Sequence, residues 1–320
     1  MNNLECYDFQ PELGSFHDEI LQSLAQSKKA IAPKFFYDKR GSELFERICE
    51  LEEYYPTRTE IALLKTHSQE IAQLIGKGSL LIEYGSGSST KVRILLEALQ
   101  EPVGYMPIDI SQEHMVQASA ELAQSYSELD VIAVCADYTQ DFQLPPYSKK
   151  PVNKKLIFFP GSTIGNLDPT QALHLLKQSA SLLDTGDGML IGVDLKKDPA
   201  ILNAAYNDAL GVTAEFNLNL LERINKELNA NFDLANFRHW AFYNEEYSRI
   251  EMHLISLKEQ TVAIAQIPFH FHEGETIHTE SSYKYSIEEF QELADRAGFD
   301  APQVWTDANH LFSLHYLMVR

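Results

Sequence analysis

The chain has 320 residues and a net charge of −20, from 46 acidic and 26 basic side chains. That balance argues against duplex nucleic acid, whose binders need a basic footprint, and against an anionic membrane; a small zwitterionic or cationic substrate suits the field better. With 44% hydrophobic and 22% charged residues the composition is that of a globular protein with a substantial core; no apolar run nears the ~20 residues of a membrane helix, and MNNLECYDFQ lacks the basic and apolar regions of a secretory signal.

In chain order, residues 15–30 read as a helix ending before Pro33. Ser42 can cap a short helix with Leu44, Phe45 and Ile48 on one face. Pro56 interrupts it, and Thr59 can start the next helix, which carries Leu63, Leu64, Ile71, Leu74 and Ile75. From Ser79 the pattern alternates. LLIEY is a strand, GSGSS its turn and VRILLEAL a helix. VGYMPIDI is a strand ending at Asp109, followed by a helix that Ser111 can cap. VIAVCADY, KKLIFF and GMLIGVDL are further strands, with PTQALHLLKQSASLL a helix before the last of them. This rhythm predicts a mainly parallel sheet covered on both faces, with right-handed crossovers.

After Leu195 the alternation breaks. Residues 199–230 read as helical, and RIEMHLISL and TVAIAQIPFHF as strands joined by a polar turn. Ser286 and Glu289 then form a capping-box pattern, and a last strand pair lies around 304–305 and 311–319. The expected organisation is an α/β core of residues 61–196 and 286–320, with a second lobe built from residues 1–60 and 197–285.

The strongest local signal is LLIEYGSGSS. Gly85 and Gly87 permit a tight turn and close approach of a ligand. The helix starting near Ser89 turns its unpaired N–H groups toward that turn. Glu83 sits at the strand exit, where a carboxylate can orient a cofactor. The pattern is E-x-G-x-G, short of the full dinucleotide fingerprint, and alone it is equally a structural turn. Asp109 ends the next strand, where a carboxylate can accept from ribose hydroxyls. Asp137 can meet an adenine amine and Tyr138 can cover the base; alternatively Asp137 caps a loop and Tyr138 packs in the core. With GSTIGN, these residues all fall at carboxyl ends of strands, the ligand edge of an open α/β sheet. The joint pattern fits a methyltransferase or a dehydrogenase. No Gly-Lys-Ser/Thr phosphate loop supports a nucleoside triphosphatase.

KFFYDKRGSELFERICELEEYYPTRTE, LIEYGSGSS, YMPIDIS, FPGSTIGNL, DLKKDPAILNAAYNDALGVTAEFNLNLLERIN and HTESSYKY occur in this order across almost the whole chain. Together they resemble the histidine N-α-methyltransferase family of ergothioneine biosynthesis. The resemblance implies a class I (Rossmann-like) S-adenosylmethionine-dependent methyltransferase core with a mixed α+β substrate-binding domain. It implies a cytoplasmic enzyme, expected to be a monomer, that makes hercynine from L-histidine through its mono- and dimethylated forms. By motif, Glu83, Gly85, Gly87, Asp109, Asp137 and Tyr138 correspond to the cofactor pocket, with Tyr37 beside both cofactor and substrate. Tyr138 stands where phenylalanine is commoner in the family, an exchange that keeps the ring. Tyr54, Asn166 and Tyr206 correspond to residues engaging the backbone part of the amino acid. Thr213 and Met252 belong to the same pocket, and Glu280 and Ser282 would engage the imidazole. Asn166 and Tyr37 are the candidate catalytic residues.

These types suit the chemistry. Asn166 can accept from an amine through oxygen and donate to a carboxylate through nitrogen. Tyrosines donate without adding charge, and their rings can surround a growing trimethylammonium by cation–π attraction; any one of the 15 tyrosines can equally be an ordinary core ring. Glu280 and Ser282, two apart, share a face if the segment is a strand; without the surrounding motif they read as a solvent-facing edge. No metal is expected: His270, His272 and His278 have no HExxH or cysteine partner, and Cys6, Cys49 and Cys135 are isolated. Lys154-Lys155 and Lys196-Lys197 read as solvated surface. The rival functions are a family member acting on another amine, a dehydrogenase, and a catalytically silent binding protein.

Overall fold

The computed structural model describes residues 3–9, 15–87 and 89–320, so Ser88 of the glycine turn lies outside the described residues. The chain opens with β1 (Leu4–Asp8), α1 (Phe16–Leu24), β2 (Lys29–Ala30), α2 (Lys39–Glu50) and α3 (Tyr55–Ile75). Alternation follows through β3 (Ser79–Tyr84), α4 (Thr90–Ala98), β4 (Gly104–Asp109), α5 (Gln112–Ser125), β5 (Asp130–Cys135), β6 (Lys154–Phe159), α6 (Pro169–Ser181) and β7 (Gly188–Asp194). Next come α7 (Pro199–Ala205), α8 (Val212–Leu228), β8 (Phe237–Asn244), β9 (Arg249–Ser256), β10 (Gln260–Ile264), β11 (Ile267–Phe271) and β12 (Thr276–Tyr283). The chain closes with α9 (Ile287–Arg296), β13 (Phe299–Thr306) and β14 (Phe312–Val319).

Two compact units emerge. The first comprises Met1–Glu12, Arg58–Leu195 and Tyr285–Arg320; the second comprises Leu13–Thr57 and Lys196–Lys284. The first unit is built on an eight-stranded sheet ordered β1-β5-β4-β3-β6-β7-β14-β13. Its pairs are parallel from β1 to β7, and β14 runs antiparallel to both β7 and β13. Every residue of β3 and of β7 is buried, as expected of strands covered on both faces. Strand order reverses between β3 and β6, which directs a ligand to the carboxyl ends of those strands. Among the described residues, no helix is long and apolar enough to cross a membrane.

The second unit holds a four-stranded sheet ordered β2-β12-β9-β8 and a separate hairpin of β10 and β11. Alternation along β9 sends Met252 to the face opposite Glu251 and His253. Glu280 on β12 is the direct partner of Met252, after a register shift between His278 and Glu280. α8 lies against the turn at Pro33–Phe36, where the Phe36 and Phe216 rings stack at 4.4 Å.

Several expectations are corrected. Residues 1–60 do not all join the second unit, because Leu4–Asp8 pairs in parallel with β5 at the edge of the large sheet. A five-residue edge strand with mixed exposure carries too little periodicity to be read alone. The first helix stops at Leu24, and Lys29–Ala30 pairs with Ile277–His278, a partner supplied from the far end of the chain. Asp38, rather than Ser42, caps α2, its Oδ1 accepting from the Gly41 amide at 2.7 Å. Pro56 opens α3 instead of interrupting a helix, since a first-turn proline forfeits no helical hydrogen bond. The 199–230 stretch is two helices parted at Gly211, whose φ is +73°. TVAIAQIPFHF is a hairpin: Ala265 and Gln266 both take positive φ, as a two-residue primed turn requires.

Gly41 tests the packing of α2. A Cβ there would stand 1.7 Å from the Phe36 carbonyl oxygen, which belongs to backbone and cannot swing away. Gly41→Ala is expected to destabilise the protein by about 1–3 kcal/mol, read as a lowered midpoint in urea unfolding.

Candidate active site

In the first unit the residues of interest ring the carboxyl ends of β3, β4 and β5. Gly85 leaves β3 with φ +71°, a conformation costly for any residue with a Cβ, and its amide donates to the Ile108 carbonyl at 2.9 Å. Gly87 is different: it is exposed, and among the described residues other than its chain neighbours a Cβ built on it meets no atom within 4 Å. The Tyr138 ring lies over the same turn, stacked at 5.2 Å on Tyr84 and edge-on to Phe159 at 5.6 Å. It thus joins an aromatic wall while staying half-buried.

Asp109 ends β4, half-buried, with Oδ1 accepting from the Ser111 amide at 2.8 Å. Asp137 accepts from the Thr139 amide at 2.9 Å and from the Thr139 hydroxyl at 2.6 Å, both on Oδ1. It therefore does cap a turn, and the capping leaves Oδ2 outside both bonds. Glu83 is 2% exposed and accepts from the Tyr105 hydroxyl. Burial pushes its carboxyl up to about 8, against the pull of the Tyr105 hydrogen bond and of the Lys91 charge. Asn166 closes the 3₁₀ turn Thr163–Asn166, which follows two residues in left-handed conformation, Gly161 at φ +80° and Ser162 at φ +56°.

Two residues of this unit escaped the sequence reading. Lys91, in the first turn of α4 beside the glycine turn, is paired at 2.5 Å with Glu60. The Glu60 carboxylate also accepts from the Gly161 amide, at 2.9 and 3.0 Å. Neither residue lies in a recognisable spacing; their pairing is a fact of the fold.

In the second unit, Tyr54 and Tyr206 meet edge to face at 6.2 Å, and Phe45 bridges Tyr54 and Tyr37 at 6.3 and 5.6 Å. Tyr37 is 43% exposed, so it is the tyrosine of this group most open to a ligand. Burial, and then the neighbouring Tyr206, hold the Tyr54 hydroxyl well above its ordinary range, so it stays protonated and able to donate. The Tyr206 hydroxyl donates to Ser282 Oγ at 3.0 Å. Thr213 is buried in the first turn of α8, its amide held by Asp208 Oδ1 at 2.8 Å. Met252, fully buried, lies across from Glu280. Burial raises the Glu280 carboxyl to about 7, with Lys284 opposing the rise. Lys284 is the third residue missed. It donates to Ser282 Oγ at 2.8 Å and to the Tyr206 hydroxyl at 3.3 Å, and it continues the two-residue alternation of Glu280 and Ser282, which was the available signal.

Two carboxylate–histidine groups bring ligand atoms within 4.8 Å of one another: Glu251, His253 and His278, and the exposed Glu259, His270 and His272. In the first, Glu251 already accepts from Arg249, Asn244 and His253.

A family model described as histidine-specific, S-adenosylmethionine-dependent methyltransferase matches residues 16–319. The histidine N-alpha-methyltransferase of Mycolicibacterium smegmatis is 39% identical over 301 residues, 92% of each chain. Ergothioneine biosynthesis protein 1 of Neurospora crassa is 36% identical over 292 residues, which cover 88% of this chain and 32% of that one. Among solved structures, a possible exported protein from Bordetella parapertussis matches with a TM-score of 0.52 at 11% identity, over 97% of this chain and 90% of that one; this likeness concerns the fold alone.

Glu83 offers a test of the buried acid. A carboxyl that holds its proton more tightly when folded stabilises the fold fully below its unfolded value near 4.5, and loses that contribution as pH rises to about 8. Glu83→Gln keeps an acceptor for Tyr105 and does not ionise. Its stability relative to wild type is expected to climb between about pH 5 and pH 8. Urea unfolding at both pH values measures this, and a constant difference would show that Glu83 does not titrate in that window.

Proposed function

The chain belongs to the histidine-specific, S-adenosylmethionine-dependent methyltransferases, and on that premise we propose that it methylates the α-amine of L-histidine three times, giving hercynine at the first step of ergothioneine biosynthesis. The observation that carries the substrate is that Glu280 and Ser282 share one strand, opposite Met252 and Ile250 respectively, with the Tyr206 hydroxyl donating to Ser282. A carboxylate accepts from an N–H and a hydroxyl donates to a bare ring nitrogen, so the pair matches a neutral imidazole. An aliphatic amino acid would leave both groups unsatisfied.

The first unit suits the cofactor by the same kind of reading. Gly87 is exposed at the turn after β3, Asp109 stands at the strand end where a ribose diol is bound, and Tyr138 offers an aromatic face. Asp137, with Oδ2 outside its own turn, is assigned to the adenine amine. When bound, S-adenosylmethionine supplies an electrophilic methyl group on a positively charged sulfur. What remains for the protein is to present an uncharged amine in line. An α-amine at a chain terminus has an ordinary pKa of ~8 and that of a free amino acid is somewhat higher, so the bound amine must lose its proton before attack. In the first unit, Asn166 accepts from that amine through its oxygen, which orients the lone pair without needing a strong base. In the second, Tyr54 donates to the carboxylate while carrying no charge of its own, and Tyr206, whose hydroxyl donates to Ser282, contributes its ring, edge-on to Tyr54, to the substrate wall. Tyr37, the exposed ring, lines the path of the amine as it becomes a quaternary cation. Thr213 and Met252 shape the wall. Alignment supplies much of the acceleration. A cytoplasmic monomer accords with this reading.

Incubation with S-adenosylmethionine is expected to convert histidine, monomethylhistidine and dimethylhistidine to the trimethylated product, read by mass. Wild-type enzyme that ignores histidine and trimethylates another amino acid would overturn the substrate. Asp109→Ala should weaken S-adenosylhomocysteine about tenfold in calorimetry, the worth of a lost hydrogen bond of ~1.4 kcal/mol. Glu280→Ala should raise the KM for histidine by about fivefold to somewhat over a hundredfold, on the order of 1–3 kcal/mol, with cofactor affinity kept. Asn166→Ala should lower turnover while the cofactor still binds. Chelation with EDTA should leave turnover unchanged; rescue by one specific metal would refute the metal-free reading.

A further inference from the structure

Lys284 has no part in the reaction as drawn so far, yet it is 2% exposed and lies against two of the proposed substrate-binding side chains. Its Nζ donates to Ser282 Oγ at 2.8 Å and to the Tyr206 hydroxyl at 3.3 Å, and the ammonium stands 5.1 Å from the centre of the Tyr206 ring. An ammonium can only donate, so both oxygens must accept from it. Tyr206 and Ser282 are 3.0 Å apart and share a further hydrogen bond. A phenol is the better donor of the two, which makes Ser282 an acceptor twice over. Its own proton is then left to point at a ligand.

We propose that Lys284 is a positioning residue for imidazole recognition: it sets the Ser282 hydroxyl as a donor to the ligand beside the Glu280 acceptor, so that the pair selects neutral imidazole over imidazolium. This rests on the reading of Glu280 and Ser282 as the imidazole pocket. Imidazolium presents two donors and would collide with the donating hydroxyl; neutral imidazole presents one donor and one acceptor. Around Glu280 the groups that bear on its charge are Lys284, just past the end of β12, and Tyr54 from the segment before α3, itself flanked by Tyr206, Tyr37 and Cys49. The β9 partner, Met252, brings no charge. The tyrosine and thiol groups are neutral when protonated, which leaves Lys284 as the cation in this set. Burial already drives Glu280 toward protonation at neutral pH, and Lys284 opposes it. Without that charge the carboxyl would need a higher pH to become an acceptor.

The test is KM and kcat for histidine from about pH 6.5 to 9.5 at saturating S-adenosylmethionine, with every variant compared with wild type at the same pH so that the substrate's own titrations cancel. Lys284→Met should raise the KM about tenfold near neutrality, with the defect shrinking as pH rises, kcat changed less than about threefold, and S-adenosylhomocysteine affinity kept. Lys284→Arg, which keeps the charge, should stay near wild type across the range. Glu280→Gln should raise KM with no alkaline recovery, whether or not Lys284→Met is added. A Lys284→Met defect of equal size at every pH would reduce Lys284 to a structural role and overturn the proposal. If Lys284→Met does not fold, alkaline recovery in Glu280→Gln alone would overturn it as well. Wild-type enzyme without histidine turnover would bring down the substrate reading and this inference together; normal wild-type turnover with a flat Lys284→Met defect brings down only the inference.

Discussion

The carboxylate of Glu60 is completely buried and joins three stretches of the first unit that are far apart in sequence. From α3 it accepts the Gly161 amide on both oxygens, and with them the loop that ends at Asn166. It pairs with Lys91 at the start of the helix after the glycine turn. It also fills the space next to Gly192 on β7, where a Cβ would come within 2.1 Å of its Oε1. A buried carboxylate is tolerated only when charge and hydrogen bonds replace the water it gave up, and deleting either partner of such a pair commonly costs about 3–5 kcal/mol. The loop after β6 and the start of α4 are therefore tied to one side chain. The left-handed backbone at Gly161 and Ser162 is held by these bonds together with the Asp194 amide, which donates to the Ser162 hydroxyl at 2.9 Å, and the Gly165 amide, which donates to the Ser162 carbonyl at 2.9 Å.

The second unit sets polar groups on both faces of a sheet. The shift in register before Glu280 sets Glu280 and Ser282 on the side away from His278. The other face carries its own network, in which Glu251 serves Arg249, Asn244 and His253. Burial lowers His253 and drives His278 down to about 4, so both rings are neutral at physiological pH. One sheet thus separates a face committed to internal structure from a face whose acid stays poised near neutrality.

How much of this was legible depended on the range of the interaction that decides each element. β3 to β7 were readable because strands buried on both sides must be apolar throughout, and their flanking turns carry glycine or a capping residue. Asp109, Asp137 and the glycines could be proposed from sequence because the ligand edge of an open α/β sheet calls for particular residue types at the strand ends. β1 and β2 were not, since a short strand is specified by its partner; Ala30 becomes strand only because His278 lies beside it. The start of α2 was misplaced because Asp38 and Ser42 are both competent caps, and only the turn at Phe36 decides between them. Lys91, Glu60 and Lys284 lay outside the reading for the same reason: a lysine or glutamate in isolation is most simply a solvated surface residue, and these become functional candidates only once folding has buried them together.

The position of β14 has a consequence for how the polypeptide is made. It is the latest strand in chain order, yet it lies inside the large sheet, between β7 and β13. Until it emerges from the ribosome, β7 presents a long apolar edge with unpaired backbone groups, and β2 likewise waits for β12. Pairings between such remote segments are slow to form, and nascent chains that expose open edges are the species that associate wrongly. Both units are discontinuous in sequence, and the first cannot finish until the whole of the second has been synthesised. Yield in a host cell should therefore depend more on chaperone capacity and translation rate than on the stability of the finished fold.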